Sequence, residues 1–340
     1  MRMRPSDFDG TGPHLAHGGD LGAARRAFPG ATEPLIDLST GINPHSYPLP
    51  RLTVSTFRRL PEPDALETLA EAAARAYGAP SARHVVCAPG TQILLPLVAR
   101  LVPPGRCAVL SPTYAEHARA AKLAGHQVRE VTSPIELAAS DLAVVVNPNN
   151  PDGRLTPRTR LIALAEGLGR RGGLLVVDEA FMEVAPLSES IAGDIEHGRA
   201  VVLRSFGKFH GLAGVRLGFA IAAPPIAQRL RQELGPWAVS GPAIAIGAAA
   251  LSDTEWARLM RARLTHDSVR LDAILEVAGF QIVGGTPLFR LARSDDAPQI
   301  YEKLGRAGIL VRRFPDRPTL LRFGLPANEP AFHRLSAALS

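Results

Sequence analysis

The sequence predicts an α/β fold: a mainly parallel sheet covered by helices on both faces, followed by a smaller α+β domain. Two observations carry this. Short, uniformly apolar runs such as Ala143-Val144-Val145-Val146 and Leu174-Leu175-Val176-Val177 recur between amphipathic stretches of helical length. A strand that is apolar on both sides belongs to a sheet buried on both faces, and such sheets are mostly parallel. After about residue 225 the texture changes to longer helices and then to a cluster of short strands. A chain of 340 residues with 46% hydrophobic content has enough apolar surface for one large core and one smaller one.

Taken in order, residues 1–63 are rich in Gly and Pro, and only Leu35-Ile36-Asp37-Leu38 resembles a strand; residues 1–45 of this stretch are set apart as an N-terminal segment. A segment with so little apolar surface of its own is expected to wrap across the body of the protein and pack with the smaller domain and the active site. Residues 46–225 form the large domain. Asp64-Ala65-Leu66-Glu67 reads as a capping box that opens a helix running to Tyr77, with Gly78 placed to end it. Strands are expected at His84 to Ala88, Cys107 to Leu110, Leu142 to Val146, Leu174 to Val177, Ala200 to Leu203 and Leu217 to Ala222. The smaller domain, residues 226–340, begins with helices at Ile226 to Leu234, Pro242 to Leu251 and Thr254 to Ala278. Short strands follow near Gln281, Leu288, Ile309 and Thr319.

No apolar run approaches the roughly 20 residues that span a bilayer, and the residues from Met1 to Gly10 lack the apolar stretch of a signal peptide. Cys87 and Cys107 each fall in an apolar, strand-like run, which suits buried free thiols in a reducing compartment. A cytoplasmic protein is expected. Metal-ligand spacing is absent. The formal charge of +6 is modest and the arginines are scattered, so nucleic-acid binding is a weak reading. A basic pocket for an anionic small molecule fits the charge equally well, as does arginine-favouring codon usage with no function at all.

Gly167-Leu168-Gly169-Arg170-Arg171-Gly172 matches the spacing of a dinucleotide fingerprint but stands between a helix and the strand that follows it. The fingerprint needs the reverse order, so a helix terminus and loop are expected here. Three strand ends carry polar residues that structure alone does not explain: Asn147-Pro148-Asn149-Asn150 after Val146, Asp178-Glu179-Ala180-Phe181 after Val177, and Ser205-Phe206-Gly207-Lys208-Phe209-His210-Gly211 after Leu203. Ligands of open α/β sheets bind beyond such carboxyl ends. Lys208 is conspicuous because the chain holds 38 Lys plus Arg yet only three lysines, Lys122, Lys208 and Lys303. Arginine cannot replace lysine where an amine must lose its proton and condense with a carbonyl. A Schiff-base lysine is one reading, and a solvated loop cation is the other.

A chemical logic joins these strand ends. A pyridine-based electron sink needs a carboxylate at its ring nitrogen, a lysine at its aldehyde, and N–H groups, hydroxyls and an arginine at its phosphate. Asp178 supplies the carboxylate and Lys208 the amine. Ser205 and Arg216 flank the lysine, and Gly90-Thr91-Gln92 opens a helix whose first N–H groups are free for the phosphate. Tyr114 begins another helix from which it can stack on the ring.

In this combination the chain resembles the fold type I, aspartate aminotransferase-like, pyridoxal-phosphate enzymes over nearly its whole length. The resemblance implies that Lys208 binds the cofactor aldehyde, Asp178 pairs with the ring nitrogen and Asn150 bonds the ring hydroxyl. Gly90, Thr91, Gln92, Ser205 and Arg216 would surround the cofactor phosphate. Arg322 would take the substrate carboxylate, with Gly41 lining the substrate side. Within the superfamily the sequence is similar to the histidinol-phosphate aminotransferase branch, and more so to its cobalamin-pathway relatives, the threonine-phosphate decarboxylases. Two features carry that choice: His17-Gly18-Gly19-Asp20 followed by Ile36-Asp37-Leu38-Ser39-Thr40-Gly41-Ile42-Asn43-Pro44, and Phe181 where aminotransferases commonly place Tyr. The resemblance implies decarboxylation of O-phospho-L-threonine by a homodimer, with His17, Asn43 and Arg312 as candidates for the substrate phosphate. The alternatives are an aminotransferase for histidinol phosphate or another phosphorylated substrate, and a ligand sensor that keeps the fold without the chemistry.

Overall fold

The computed structural model describes residues 18–340, so His17 lies outside the described residues. The strands are β1 (Ile36–Leu38), β2 (Val85–Ala88), β3 (Arg106–Leu110), β4 (Gln127–Val131), β5 (Leu142–Val146), β6 (Leu174–Asp178), β7 (Ala200–Ser205), β8 (Gly218–Ala222), β9 (Gln281–Thr286), β10 (Phe289–Arg293), β11 (Ile309–Arg313) and β12 (Leu320–Gly324). They make two sheets, one of seven strands in the order β2-β8-β7-β6-β5-β3-β4 and one of five in the order β1-β11-β12-β10-β9. In the larger sheet only β8 runs against its neighbours, pairing antiparallel with both β2 and β7.

The uniform apolarity of the central strands has a direct cause. Val145, Leu175, Val177 and Val202 point into the core on one face of the sheet, while Val144, Val176, Val201 and Leu203 point into the core on the other. Successive side chains of a strand alternate faces, and here both faces are covered. Strand β4 was not expected from the sequence. It is an edge strand pairing only with β3, and Gln127, Arg129 and Glu130 are exposed, which breaks the apolar pattern used to find its neighbours.

The helix expected to start at a capping box spans Pro63–Tyr77 instead, with Pro63 in its first turn and no side-chain cap at Glu62. Pro is favoured there because its missing N–H has no partner to lose, and Asp64 then acts only as a first-turn anion. Gly78 ends the helix in the left-handed conformation, φ 73°. The glycine-rich 167–172 stretch closes the helix Arg158–Gly169 and leads into β6, as its position required.

The change of texture after residue 225 does not coincide with the change of sheet. The helix Pro224–Leu234 places Ala227 and Leu230 in one core of the seven-stranded sheet, and Gly241–Ser252 places Ile244 and Ala250 in the other. The chain crosses over in the 24-residue helix Thr254–Val277, whose Met260, Leu264, Leu271 and Leu275 pack with Phe289 and Phe323 in a third core. Strand β1 lies parallel to β11, so the N-terminal segment enters the smaller sheet.

Candidate active site

The carboxyl ends of β5, β6 and β7 face the N-terminus of the helix Thr91–Ala99 across a cavity of about 200 Å³. Gly90, Thr91, Gln92, Tyr114, Asn150, Asp178, Ser205, Lys208 and Arg216 all line it. A larger groove of about 470 Å³ lies elsewhere, between Pro61, Leu66 and Trp237. It is mostly apolar, and one of the two arginines lining it, Arg231, is spent on the carbonyls of Ala82, Arg83 and Val85. The smaller cavity is where the chemistry converges.

Lys208 sits in the one-turn helix Phe206–Phe209 directly after β7. Burial, and next the positive charge of Arg322, push its ammonium down to about 8, with Asp178 opposing. Asp178 ends β6 and is nearly enclosed. Its Oδ1 accepts the Ala180 backbone N–H at 3.1 Å and its Oδ2 lies 2.8 Å from His117 Nε2. His117 was missed in the sequence reading. Its signal is spacing alone, three residues beyond Tyr114, which precedes the helix Glu116–Leu123 by two residues, and the two rings meet edge-on at 6.0 Å.

Opposite these groups is an anion cradle. Gly90 precedes the helix Thr91–Ala99 with φ 88°, and a Cβ there would stand 2.8 Å from Arg216 Nη2. Glycine lets the loop turn and lets the guanidinium come close to the helix N-terminus, where unpaired N–H groups and the helix dipole favour negative charge. Arg216 itself adopts φ 56° and donates from Nη1 to the Ala213 carbonyl at 3.0 Å. Gln92 contributes less than its side chain suggested. Its amide accepts from Tyr114 Oη at 3.2 Å and donates to Glu116 at 2.8 Å, leaving its backbone N–H for an anion. Burial, with Glu116 and Asp178 adding to it, pushes the Tyr114 phenol up to about 12.

The residues assigned to the substrate separate. Arg322 is buried, donates to Asn150 Oδ1 at 2.5 Å and to the Ser39 carbonyl at 2.9 Å, and leaves Nε without a partner. Burial pushes it down to about 10. Arg312 lies directly opposite Arg322 in the antiparallel β11–β12 register. Gly41 packs against Phe181 and Phe289, each 3.0 Å from where its Cβ would be. Asn43 does not fit the role of a phosphate ligand. It is 1% exposed, its amide donates to the Phe209 carbonyl at 2.7 Å, and its Oδ1 accepts the His45 N–H at 2.8 Å. Both ends of that side chain are already spent on backbone.

A match to the family described as Aminotransferase class I and II runs over residues 33–332. The chain belongs to the aminotransferase class I and II family. It is 44% identical to a threonine-phosphate decarboxylase from Pseudomonas aeruginosa, over 96% of this chain and 97% of that protein. A threonine-phosphate decarboxylase from a Sinorhizobium species is 41% identical, over 96% and 98%. The structure superposes with TM-score 0.79 on the histidinol-phosphate aminotransferase from Sinorhizobium meliloti in complex with pyridoxal-5'-phosphate, over 98% of this chain and 97% of that one at 23% identity, which shows the shared fold. This member of the aminotransferase class I and II family is a pyridoxal-phosphate-dependent enzyme. The fit is visible in the cavity itself: a buried amine of lowered pKa, an enclosed carboxylate, and a glycine-opened cradle beside an arginine stand around one space.

Proposed function

We propose that the protein decarboxylates O-phospho-L-threonine to (R)-1-aminopropan-2-yl phosphate, a step of cobalamin biosynthesis. The observation that carries a doubly anionic substrate is the pairing of Arg312 with Arg322 across adjacent strands. Like charges directly opposite in a sheet destabilise it unless an anion lies between them. Each guanidinium is pushed down by burial, so an anion brought there meets cations poorly solvated by water. A carboxylate and a phosphate on one small molecule would satisfy both.

Pyridoxal phosphate, when bound, supplies an electron sink for a bond broken at the substrate α-carbon. Lys208 would hold its aldehyde, Asp178 its ring nitrogen, Asn150 its ring hydroxyl and Tyr114 its face. The N–H groups after Gly90, together with Ser205 and Arg216, would hold its phosphate. His117 and the Ala180 N–H fix both oxygens of Asp178, which keeps that carboxylate aimed. Arg322 holds the substrate carboxylate until it departs, and Arg312 the phosphate. Lys208 Nζ, with its lowered pKa, has an accessible neutral form near pH 8 and a protonated form that can return a proton to the α-carbon. Proton return at that atom separates decarboxylation from amino-group transfer. Phe181 offers no hydroxyl beside the ring and instead packs edge-on to Phe289 at 5.1 Å.

We further infer a homodimer. Val54, Phe57, Leu60 and Trp237 are each about 60% exposed or more, and Leu66 and Trp237 border one apolar groove. Sedimentation showing a fully active monomer at micromolar concentration would contradict it. The two free cysteines suit the cytoplasm, and among the described residues no helix is long and apolar enough to cross a membrane.

The test of substrate is direct. The purified, cofactor-loaded protein should release carbon dioxide from O-phospho-L-threonine, and Arg312→Ala should raise KM roughly 10- to 150-fold through loss of one charge-assisted hydrogen bond. Transfer of an amino group from histidinol phosphate with no carbon dioxide released would replace this reading with an aminotransferase.

A further inference from the structure

The segment from Ile36 to Tyr47 touches both sheets. It begins as β1 beside β11, then passes Arg322, which donates to the Ser39 carbonyl at 2.9 Å. It crosses β12 so closely that a Cβ on Gly324 would stand 2.4 Å from the Thr40 carbonyl oxygen. It then runs along the loop that carries Lys208. There the Asn43 N–H donates to the Lys208 carbonyl at 2.9 Å, the Asn43 amide to the Phe209 carbonyl at 2.7 Å, the Tyr47 N–H to the His210 carbonyl at 2.9 Å and Ser46 Oγ to the Gly211 carbonyl at 2.8 Å. Four consecutive carbonyls of the lysine loop are thus bound by one short stretch of chain.

The loop itself reaches one of the four, the Lys208 carbonyl, which also accepts the Gly211 N–H at 3.3 Å. The last carbonyls of a helix lack partners within it, and the strap supplies them for the other three. The loop's shape therefore depends on the strap. Gly211 has room for no side chain against it: a Cβ would lie 2.6 Å from the Asn43 carbonyl oxygen and 2.8 Å from Ser46 Cα. Asn43 reaches into this seam from a buried position with a hydrogen bond from its side chain to the loop backbone, and its orientation is fixed in turn by the His45 N–H.

We propose that Asn43 is a positioning residue for Lys208: by holding the Lys208 and Phe209 carbonyls it sets where the lysine amine stands, and through Ser39 it ties that position to the arginine that takes the substrate carboxylate. This rests on the assignment of Lys208 as the cofactor-binding lysine. The coupling is physical, since Ser39 and Asn43 lie on one short strap with one end paired in the smaller sheet and the other bonded to the lysine loop after β7.

The experiment uses the full-length protein loaded with pyridoxal phosphate. Borohydride reduction followed by peptide mapping of the wild type tests the underlying assignment, which fails if the reduced cofactor is found on another lysine or on none. Asn43→Asp keeps the acceptor for His45 and removes the donor to Phe209. It should lower kcat roughly 5- to 100-fold with little change in KM, and should move the pH midpoint of the visible absorption band by about one unit. In the cofactor-free protein, amide exchange of the 206–212 peptide should rise in this variant and not elsewhere. Ser46→Ala, at the exposed end of the same seam, should shift all three readouts in the same direction by less, and carries the test if Asn43→Asp does not fold. A folded Asn43→Asp protein with a lower melting temperature but an unchanged band midpoint, unchanged kcat and unchanged exchange over 206–212 would overturn the proposal.

Discussion

Lys208 and Asp178 stand at one cavity because β6 and β7 are parallel neighbours whose carboxyl ends open on the same side. Lys208→Ala removes the amine and Lys208→Arg replaces it with a group that does not deprotonate. Both should lose the visible absorption band and the borohydride-reducible link to the chain, which spectroscopy and mass analysis would check. Asp178→Asn keeps the shape without the charge, so turnover should fall by several orders of magnitude while cofactor still binds. Near-normal kcat would reduce Asp178 to a turn residue. His117→Ala frees Asp178 Oδ2 in a buried setting, and a smaller loss, about 10- to 100-fold in kcat, is expected. The nine cofactor-side candidates converge on one cavity, and that convergence was legible because most stand just after a strand or just before a helix, where sequence pattern and chemistry coincide. His117 and the true use of Asn43 were not, since both depend on pairing with residues distant in the chain, Asp178 and Phe209.

At the scale of elements, the helix Thr91–Ala99 is poised by the residue before it. Gly90→Ala would force a side chain into a left-handed backbone and against Arg216. Cofactor affinity should fall tenfold or more while the melting temperature of the cofactor-free protein changes less, as dialysis and thermal scanning would measure. The central strands were legible because burial on two faces leaves an apolar run with no alternation. The edge strand β4 was not, because one exposed side makes it look like a loop. The place where the chain changes sheets was not legible either. Both faces of the seven-stranded sheet need helices, and two of those come from sequence that lies after its last strand.

Across the whole molecule, one buried charge group stands apart from the site. Glu179 and Glu183 lie beside Arg204, with the guanidinium 4.8 Å over the Tyr77 ring. Burial, only partly offset by Arg204, pushes the Glu183 carboxyl up to about 7. A carboxyl raised on folding binds its proton more tightly in the native state, so this group's contribution to stability falls as pH rises from about 4.5 to about 7. Urea titrations should show Glu183→Gln free of that component, a difference approaching about 3 kcal/mol between the ends of the window. An identical pH profile in variant and wild type would exclude it. The pairing of Ile36 with Ile309 has a consequence for biogenesis. The two residues are separated by most of the chain, and at about 5–20 residues per second of synthesis the first must wait tens of seconds on the ribosome for the second. Until then nothing completes the seam that shapes the lysine loop from the side of the smaller sheet. A nascent chain arrested before residue 309 should therefore be cut by protease between residues 18 and 47, and the released full-length chain should not.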